Sequence, residues 1–227
     1  MECLLKRLSL KNSTLYNNAI SETMADEHRC FLAIDIEQTL IDKIVEVQRE
    51  FKETNNNVKY VEKENLHFTL KFFGDIDNNK INEIKDAIKK VLANINNKSE
   101  EDNNNNNNNN NLDSKTELSI EGIGTFPNKN YMKVLWIGTQ DNTFLTNLQK
   151  ELDLEFNKLG FKREKNFKTH LTIGRIRNLN YKNEFKSKIE ELENIKIGKM
   201  EISKISLKMS QLTLKGPIYS DIAVFDI

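Results

Sequence analysis

Apolar positions along the chain change their spacing several times, and each change predicts an element of secondary structure. In residues 29–36 most positions are apolar, which is typical of a strand buried on both faces. In residues 40–51 the apolar positions recur every three or four residues with charges between them, as on an amphipathic helix. The same patterns predict strands over residues 58–61, 66–73, 118–123, 133–139, 168–176, 205–209 and 218–225, and helices over residues 81–92, 144–159 and 184–193.

One stretch interrupts this alternation and divides the chain into two similar halves. Residues 97–114 combine acidic residues, Ser and an unbroken run of Asn at 103–111. Such a tract offers nothing to bury, so we predict a disordered insertion there with no catalytic role. Residues 1–28 carry little pattern and are predicted to be a disordered N-terminal extension. Residues 29–227 then form one domain.

Each half runs strand, helix, strand, helix, strand. This order predicts an α+β fold of two pseudo-symmetric lobes, each with a small, mainly antiparallel sheet and helices on its outer face. We expect the functional site in a cleft between the lobes.

Two of the predicted strands carry the same pattern. Residues 67–70 (His-Phe-Thr-Leu) and 170–173 (His-Leu-Thr-Ile) both read His, apolar, Thr, apolar. Side chains alternate on a strand, so each copy places an imidazole and a hydroxyl on one face and anchors the strand with its apolar residues. A half-buried structural His explains either copy alone equally well. The repetition favours a functional pair, with His67 and His170 facing each other.

Two His-Thr pairs across a cleft suit a displacement at a phosphodiester. With an ordinary pKa of about 6.5, one neutral imidazole can take a proton from water while the other, protonated, gives one to the leaving oxygen. The hydroxyls of Thr69 and Thr172 can donate to the non-bridging oxygens, and Arg175 can add a bidentate grip. In-line attack with these groups needs no metal.

Other chemistries fit the residues less well. Neither motif has a carboxylate or Cys at ligand spacing, and Thr is a poor zinc ligand. The sequence has no Gly-x-Ser-x-Gly elbow and no phosphate-cradling Gly-rich loop. We therefore expect neither a metal site, nor a serine hydrolase, nor a nucleoside-triphosphate enzyme.

The distribution of charge along the chain indicates where an anionic partner could bind. The formal net charge is zero, so a site for a polyanion such as an RNA end must be local. Basic residues gather around the second motif at Lys162, Arg163, Lys165, Lys168, Arg175 and Arg177. Phe72, Phe126 and Phe167 are candidates for stacking on a base, although each is more often a packing residue.

No apolar run approaches the ~18–20 residues that span a bilayer, and two Cys are too few for a disulfide framework. We expect a cytoplasmic protein.

The two motifs resemble the paired HxTx motifs of the 2H phosphoesterases. Their setting resembles the LigT-like branch, the RNA 2',3'-cyclic phosphodiesterases once called 2'-5' RNA ligases. The stretches that carry the resemblance are residues 29–34 (RCFLAI), 64–74 (ENLHFTLKFFG), 124–127 (GTFP), 134–138 (VLWIG) and 170–175 (HLTIGR). It covers roughly residues 29–226. The Asn-rich insertion and the N-terminal extension depart from it.

The resemblance implies a two-lobed fold and metal-independent hydrolysis of 2',3'-cyclic phosphates, at RNA 3' ends or on small nucleotides, to 2'-phosphomonoesters. It also implies His67 as proton donor and His170 as proton acceptor, an order for which the residues alone give no reason. We expect no cofactor, no membrane association and a monomer without an obligate protein partner. Two alternatives stay open: an enzyme that cleaves or ligates 2'-5' linked oligonucleotides, and a module that binds RNA ends without catalysis. Intact His and Thr at both motifs argue against the second.

Overall fold

The computed structural model describes residues 27–105, 116–214 and 216–227, with side chains described up to residue 97 and again from residue 116. The helices are α1 (Gln38–Lys52), α2 (Asn78–Asn105), α3 (Thr143–Lys158) and α4 (Lys182–Glu191). The strands are β1 (His28–Asp35), β2 (Asn57–Tyr60), β3 (His67–Ile76), β4 (Glu117–Pro127), β5 (Met132–Thr139), β6 (His170–Asn178), β7 (Lys196–Glu201), β8 (Lys204–Leu212) and β9 (Pro217–Asp226).

The strands follow one another in space in the order β7-β4-β5-β6-β3-β1-β8-β9, and β2 adds to β6. All pairings are antiparallel, but β3 and β6 meet at a single residue pair, Phe68 with Leu171. The sheet is therefore two sheets joined at one point. The first lobe contains β3, β1, β8 and β9, and the second contains β6, β5, β4, β7 and β2. The predicted two-lobed α+β class is confirmed.

The helices cover the outer faces of the two lobes, and two of them cross over. α1 follows β1 of the first lobe but packs on β6, β7 and α4 of the second lobe. α3 follows β5 of the second lobe but packs against α2, and its Phe156 ring meets Phe73 of β3. Because each crossing helix buries its apolar face against the opposite lobe, the two lobes share their packing.

The similar halves of the sequence predict one lobe each, but the lobes of the structure do not coincide with these halves. The last two strands return to the first lobe, where β8 pairs with β1. β7 is an element that the sequence did not predict. Its buried residues, Ile197 and Met200, are three positions apart, because its pairing with β4 shifts register beside Ile120. The period-two signal of a strand is lost there.

The backbone of α2 continues to Asn105, past residue 97, where the predicted insertion begins. A helix anchored by buried residues such as Ile84 and Ile88 gains a hydrogen bond for each added residue and needs nothing further to bury. Residues 1–26 and 106–114 of the segments predicted to be disordered lie outside the described residues. Among the described helices, none is long and apolar enough to cross a membrane.

Candidate active site

The site lies where the two lobes meet, on the two motif strands. Phe68 of β3 pairs with Leu171 of β6, and both are fully buried. His67 and Thr69 flank Phe68, and His170 and Thr172 flank Leu171, so all four polar residues lie next to this one pair. All four line the same cavity. The apolar residues between them anchor the strands from behind.

His67 is half-buried in the first lobe. Its Nδ1 donates to the carbonyl oxygen of Asn65 at 2.8 Å, and its Nε2 lies 3.1 Å from Thr69 Oγ1. The ring of Phe31 is 4.9 Å away, and the ring of Tyr219 meets it edge-on at 5.3 Å. Burial lowers the pKa of this imidazole from its ordinary 6.5, since the cationic form loses water that nothing fully replaces.

His170 is held in the same way in the second lobe. Its Nδ1 donates to the carbonyl oxygen of Lys168 at 2.8 Å, and the ring of Phe126 meets the imidazole edge-on at 4.9 Å. In both histidines the carbonyl two residues earlier fixes the ring and the tautomer. Nε2 is then the nitrogen left for chemistry in each case.

A β-bulge in each motif strand determines which of the residues after the Thr face the cleft. The partner register shifts by one residue between Thr69 and Lys71 in β3 and between Thr172 and Gly174 in β6. A bulge reverses the in-and-out alternation. Arg175 therefore lies on the same face as His170 and Thr172, three residues after the Thr, where strict alternation would place it in the core.

Between the lobes is a cavity of about 780 Å³. It is lined by every residue that the sequence singled out as a site residue: His67, Thr69, His170, Thr172 and Arg175. The three aromatic candidates, Phe72, Phe126 and Phe167, line it as well. Of the other basic candidates Lys168 lines the cavity, whereas Lys162, Arg163, Lys165 and Arg177 lie outside it. Lys59 is an additional lysine that the charge pattern did not mark.

Sequence reasoning missed two tyrosines of the cavity. Tyr219 reaches His67 because Asn65, just before β3, donates to the carbonyl of Pro217 at 3.1 Å and ties the start of β9 to the motif. Tyr60 of β2 contributes a buried hydroxyl without a hydrogen-bond partner among the described residues, and burial raises its pKa to about 12. No local pattern marks either residue, since each reaches the cavity through pairing with distant parts of the chain.

A buried ion pair supports the rim of the cavity. Lys71 of β3 and Asp153 of α3 are 3% and 2% exposed, and Lys71 Nζ lies 2.7 Å from Asp153 Oδ1. The other oxygen of Asp153 accepts from Arg163 Nε at 3.3 Å and from the backbone N–H of Glu164 at 3.0 Å. This carboxylate therefore fixes the loop that leads to His170.

In the part of the chain that the structure describes, no group of three or more His, Cys, Asp or Glu side chains is placed to hold a metal ion. The predicted site residues that line the cavity are instead two imidazoles, two hydroxyls and one guanidinium. This set can bind an anion and move protons on two sides of it.

The chain is similar to known proteins along most of its length. A family model described as LigT-like phosphoesterase matches residues 34–97 and 137–219. A Methanothermobacter thermautotrophicus protein named RNA 2',3'-cyclic phosphodiesterase is 38% identical over 87% of this chain and 97% of its own length. A Methanocaldococcus jannaschii protein of the same name is also 38% identical, over 84% of this chain and 96% of its own.

Solved structures show the same fold at low identity. E. coli LigT, solved with ATP, has a TM-score of 0.60 at 15% identity and covers 88% of this chain and 98% of its own. A protein from Thermus thermophilus has a TM-score of 0.64 at 18% identity and covers 87% of this chain and 97% of its own. At these identities the likeness supports the fold alone.

Proposed function

We propose that this chain, which belongs to the LigT-like phosphoesterase family, hydrolyses 2',3'-cyclic phosphates at RNA 3' ends or on small nucleotides, leaving 2'-phosphomonoesters. The observation that carries the proposal is the matched pair of imidazoles. Each Nδ1 is fixed by a backbone carbonyl at 2.8 Å, and each ring lines the same cavity. The name shared by the two 38% identical relatives supports the choice of substrate.

In the proposed reaction water attacks the phosphorus in line with the departing 3'-oxygen. His170 Nε2 takes the proton from the water as the new P–O bond forms. The P–O3' bond breaks, and His67 Nε2 gives its proton to the 3'-oxygen. The product carries a 2'-phosphate and a 3'-hydroxyl, and the two imidazoles have exchanged protonation states.

We assign the phosphate oxygens to three donors. Thr69 and Thr172 stand beside the two imidazoles in the paired strands, and Arg175 reaches the same cavity after its bulge. Their hydroxyl and guanidinium groups are donors that strengthen as charge builds on the phosphorane. Because they supply the charge stabilisation, the reaction as proposed needs neither a metal nor a cofactor. We further propose a cytoplasmic monomer that acts without an obligate protein partner.

The test is product identification on a substrate panel. Purified protein is incubated with nucleoside 2',3'-cyclic phosphates, RNA with a 2',3'-cyclic phosphate end and 2'-5' linked oligonucleotides, with and without excess EDTA. Conversion of the cyclic phosphates to 2'-phosphates in the presence of EDTA supports the proposal. Turnover of the 2'-5' linkages alone, or loss of activity in EDTA that one added metal restores, would overturn it. Binding of RNA ends without any product would make the chain a binding module.

A further inference from the structure

Phe72 is a cavity residue that the proposed chemistry does not use. It is 64% exposed, although its neighbour Phe73 and the earlier Phe68 of the same strand are buried. The bulge after Thr69 turns Phe72 to the cleft face, and its side chain lines the cavity. A large aromatic ring left open to water inside a cleft is a candidate for contact with a ligand.

Phe72 is separated from His67 by the ring of Phe31. Its ring centroid lies 5.9 Å from that of Phe31, which in turn lies 4.9 Å from His67. Phe31 itself is 2% exposed, so it cannot offer a face to a ligand. A molecule held by its phosphate at the two histidines reaches Phe72 only if it extends beyond Phe31 along the strand.

The loop before β6 lines the same cavity. Asn166, Phe167 and Lys168 line it from the loop side, and the loop is tied down where Glu164 donates to Asp153 at 3.0 Å. An amide, an aromatic ring and an ammonium together with Phe72 match a base and its phosphate. The cavity therefore presents groups that suit a nucleotide, and a buried carboxylate holds the loop that carries three of them.

From these contacts we infer that Phe72 and the 166–168 loop form a second nucleotide subsite, which takes the nucleoside on the 5' side of the terminal cyclic phosphate. The base stacks on Phe72, and the phosphate that joins it to the terminal nucleoside lies near Lys168. The inference rests on the proposed function and narrows it, because it makes the end of an RNA chain a better substrate than a free mononucleotide.

The test compares kcat/KM for a mononucleoside 2',3'-cyclic phosphate with that for a dinucleotide carrying the same cyclic phosphate at its 3' end. We expect the intact protein to favour the dinucleotide by about tenfold or more, as one base–aromatic stack implies. Phe72→Ala should reduce this ratio by about the same factor, and Phe72→Trp should retain it. Tyr131→Ala is the matched control, since Tyr131 is also exposed, at 60%, but lies outside the cavity.

A ratio near one in the intact protein, or a ratio that Phe72→Ala leaves unchanged, overturns the subsite while the reaction itself stands. If neither substrate is hydrolysed, the proposed function fails and the subsite is tested by binding. Fluorescence anisotropy with a labelled dinucleotide 3'-phosphate should then show binding about tenfold weaker for Phe72→Ala than for Tyr131→Ala. Equal affinity for the two variants would overturn the subsite.

Discussion

The two motif strands begin alike and then diverge. In both, the His ring is fixed through Nδ1 by the carbonyl two residues earlier, and in both a bulge follows the Thr. After the bulge, β3 continues with a buried lysine and an exposed phenylalanine, Lys71 and Phe72. β6 continues at the matching positions with Gly174 and Arg175.

The residues at these two positions make different contacts in the two lobes. Lys71 forms an ion pair with Asp153, which holds the loop before the second motif. Gly174 leaves room for β2, because a Cβ at this position would lie 2.8 Å from Val58 Cγ1. Phe72 offers an aromatic face at the place where Arg175 offers a charge. The repeat thus supplies two equivalent imidazoles, and the residues after the bulge make the two sides of the cleft different.

The largest expected effect comes from breaking the pair itself. His67→Ala and His170→Ala should each lower kcat by roughly 10²–10⁴-fold, the usual range for a positioned acid or base. The two losses should not add in the double variant, because both residues act on one transition state. Full activity in both single variants would contradict the proposed enzymatic function.

A substrate with an activated leaving group separates the two roles. Such a group departs without a proton, so it should largely restore turnover to His67→Ala and leave His170→Ala slow. Rescue of His170→Ala instead would reverse the proposed donor and acceptor. The reaction class would then remain, and only the assignment within the pair would change.

The next effect is on stability and concerns Lys71. Lys71→Met leaves the Asp153 carboxylate buried beside only Arg163 and a backbone N–H, and we expect a loss of about 3–5 kcal/mol in the free energy of unfolding. Urea denaturation measures it. Lys89→Met is the matched control, because Lys89 is 67% exposed and its ion pair with Asp86 spans 3.9 Å. Equal stability of the two variants would show that the buried pair does not hold the lobes.

At the matching position of the other strand, Gly174→Ala should cost about 1–3 kcal/mol in the free energy of unfolding, the usual range for overpacking. The added methyl group would meet Val58 Cγ1 at 2.8 Å. The double variant Gly174→Ala, Val58→Ala should recover most of the loss, which urea denaturation can show. A double variant no more stable than Gly174→Ala would mean that the strain lies in the backbone and not in this contact.

The sequence predicts the repeated residues of the candidate site from their spacing, whereas it marks Arg175 and Phe72 only by residue type. It misses Lys71, Asp153 and Tyr219. His67, Thr69, His170 and Thr172 are found because alternation on a strand is local and occurs twice. The face of Arg175 depends on a bulge, and a bulge is defined by the partner strand, which the local sequence does not contain. Lys71 with Asp153, and Tyr219 with His67, are contacts between distant elements that leave no spacing to recognise. The return of β8 to β1 escapes prediction for the same reason, since strand order is decided by packing across the whole domain.

The smallest effect concerns the charges that surround His67, and it distinguishes donor from acceptor. Burial is the largest cause and sets the net direction of the His67 pKa downward. The hydrogen bond to the Asn65 carbonyl and the charge of Asp35 raise this pKa, and the charges of Lys208 and Arg175 lower it. Asp35 stands opposite His67 in the pairing of β1 with β3, and its carboxylate lies 2.9 Å from Lys208 Nζ. Asp35→Asn should therefore lower the pKa of His67 further.

In a pair that titrates together, the two limbs of a bell-shaped pH profile belong to the pair and do not identify the donor. The maximum of the profile does identify the donor. If His67 must be protonated and its pKa lies below that of the acceptor, Asp35→Asn reduces the fraction of enzyme in the active protonation state. The maximum of kcat/KM then falls by about threefold for each half unit of pKa. If His67 must be neutral, the same substitution increases that fraction and the maximum rises. Lys208→Gln removes a charge of the opposite sign and should move the maximum the other way, so a change in the same direction for both variants would mean that neither acts through the pKa of His67.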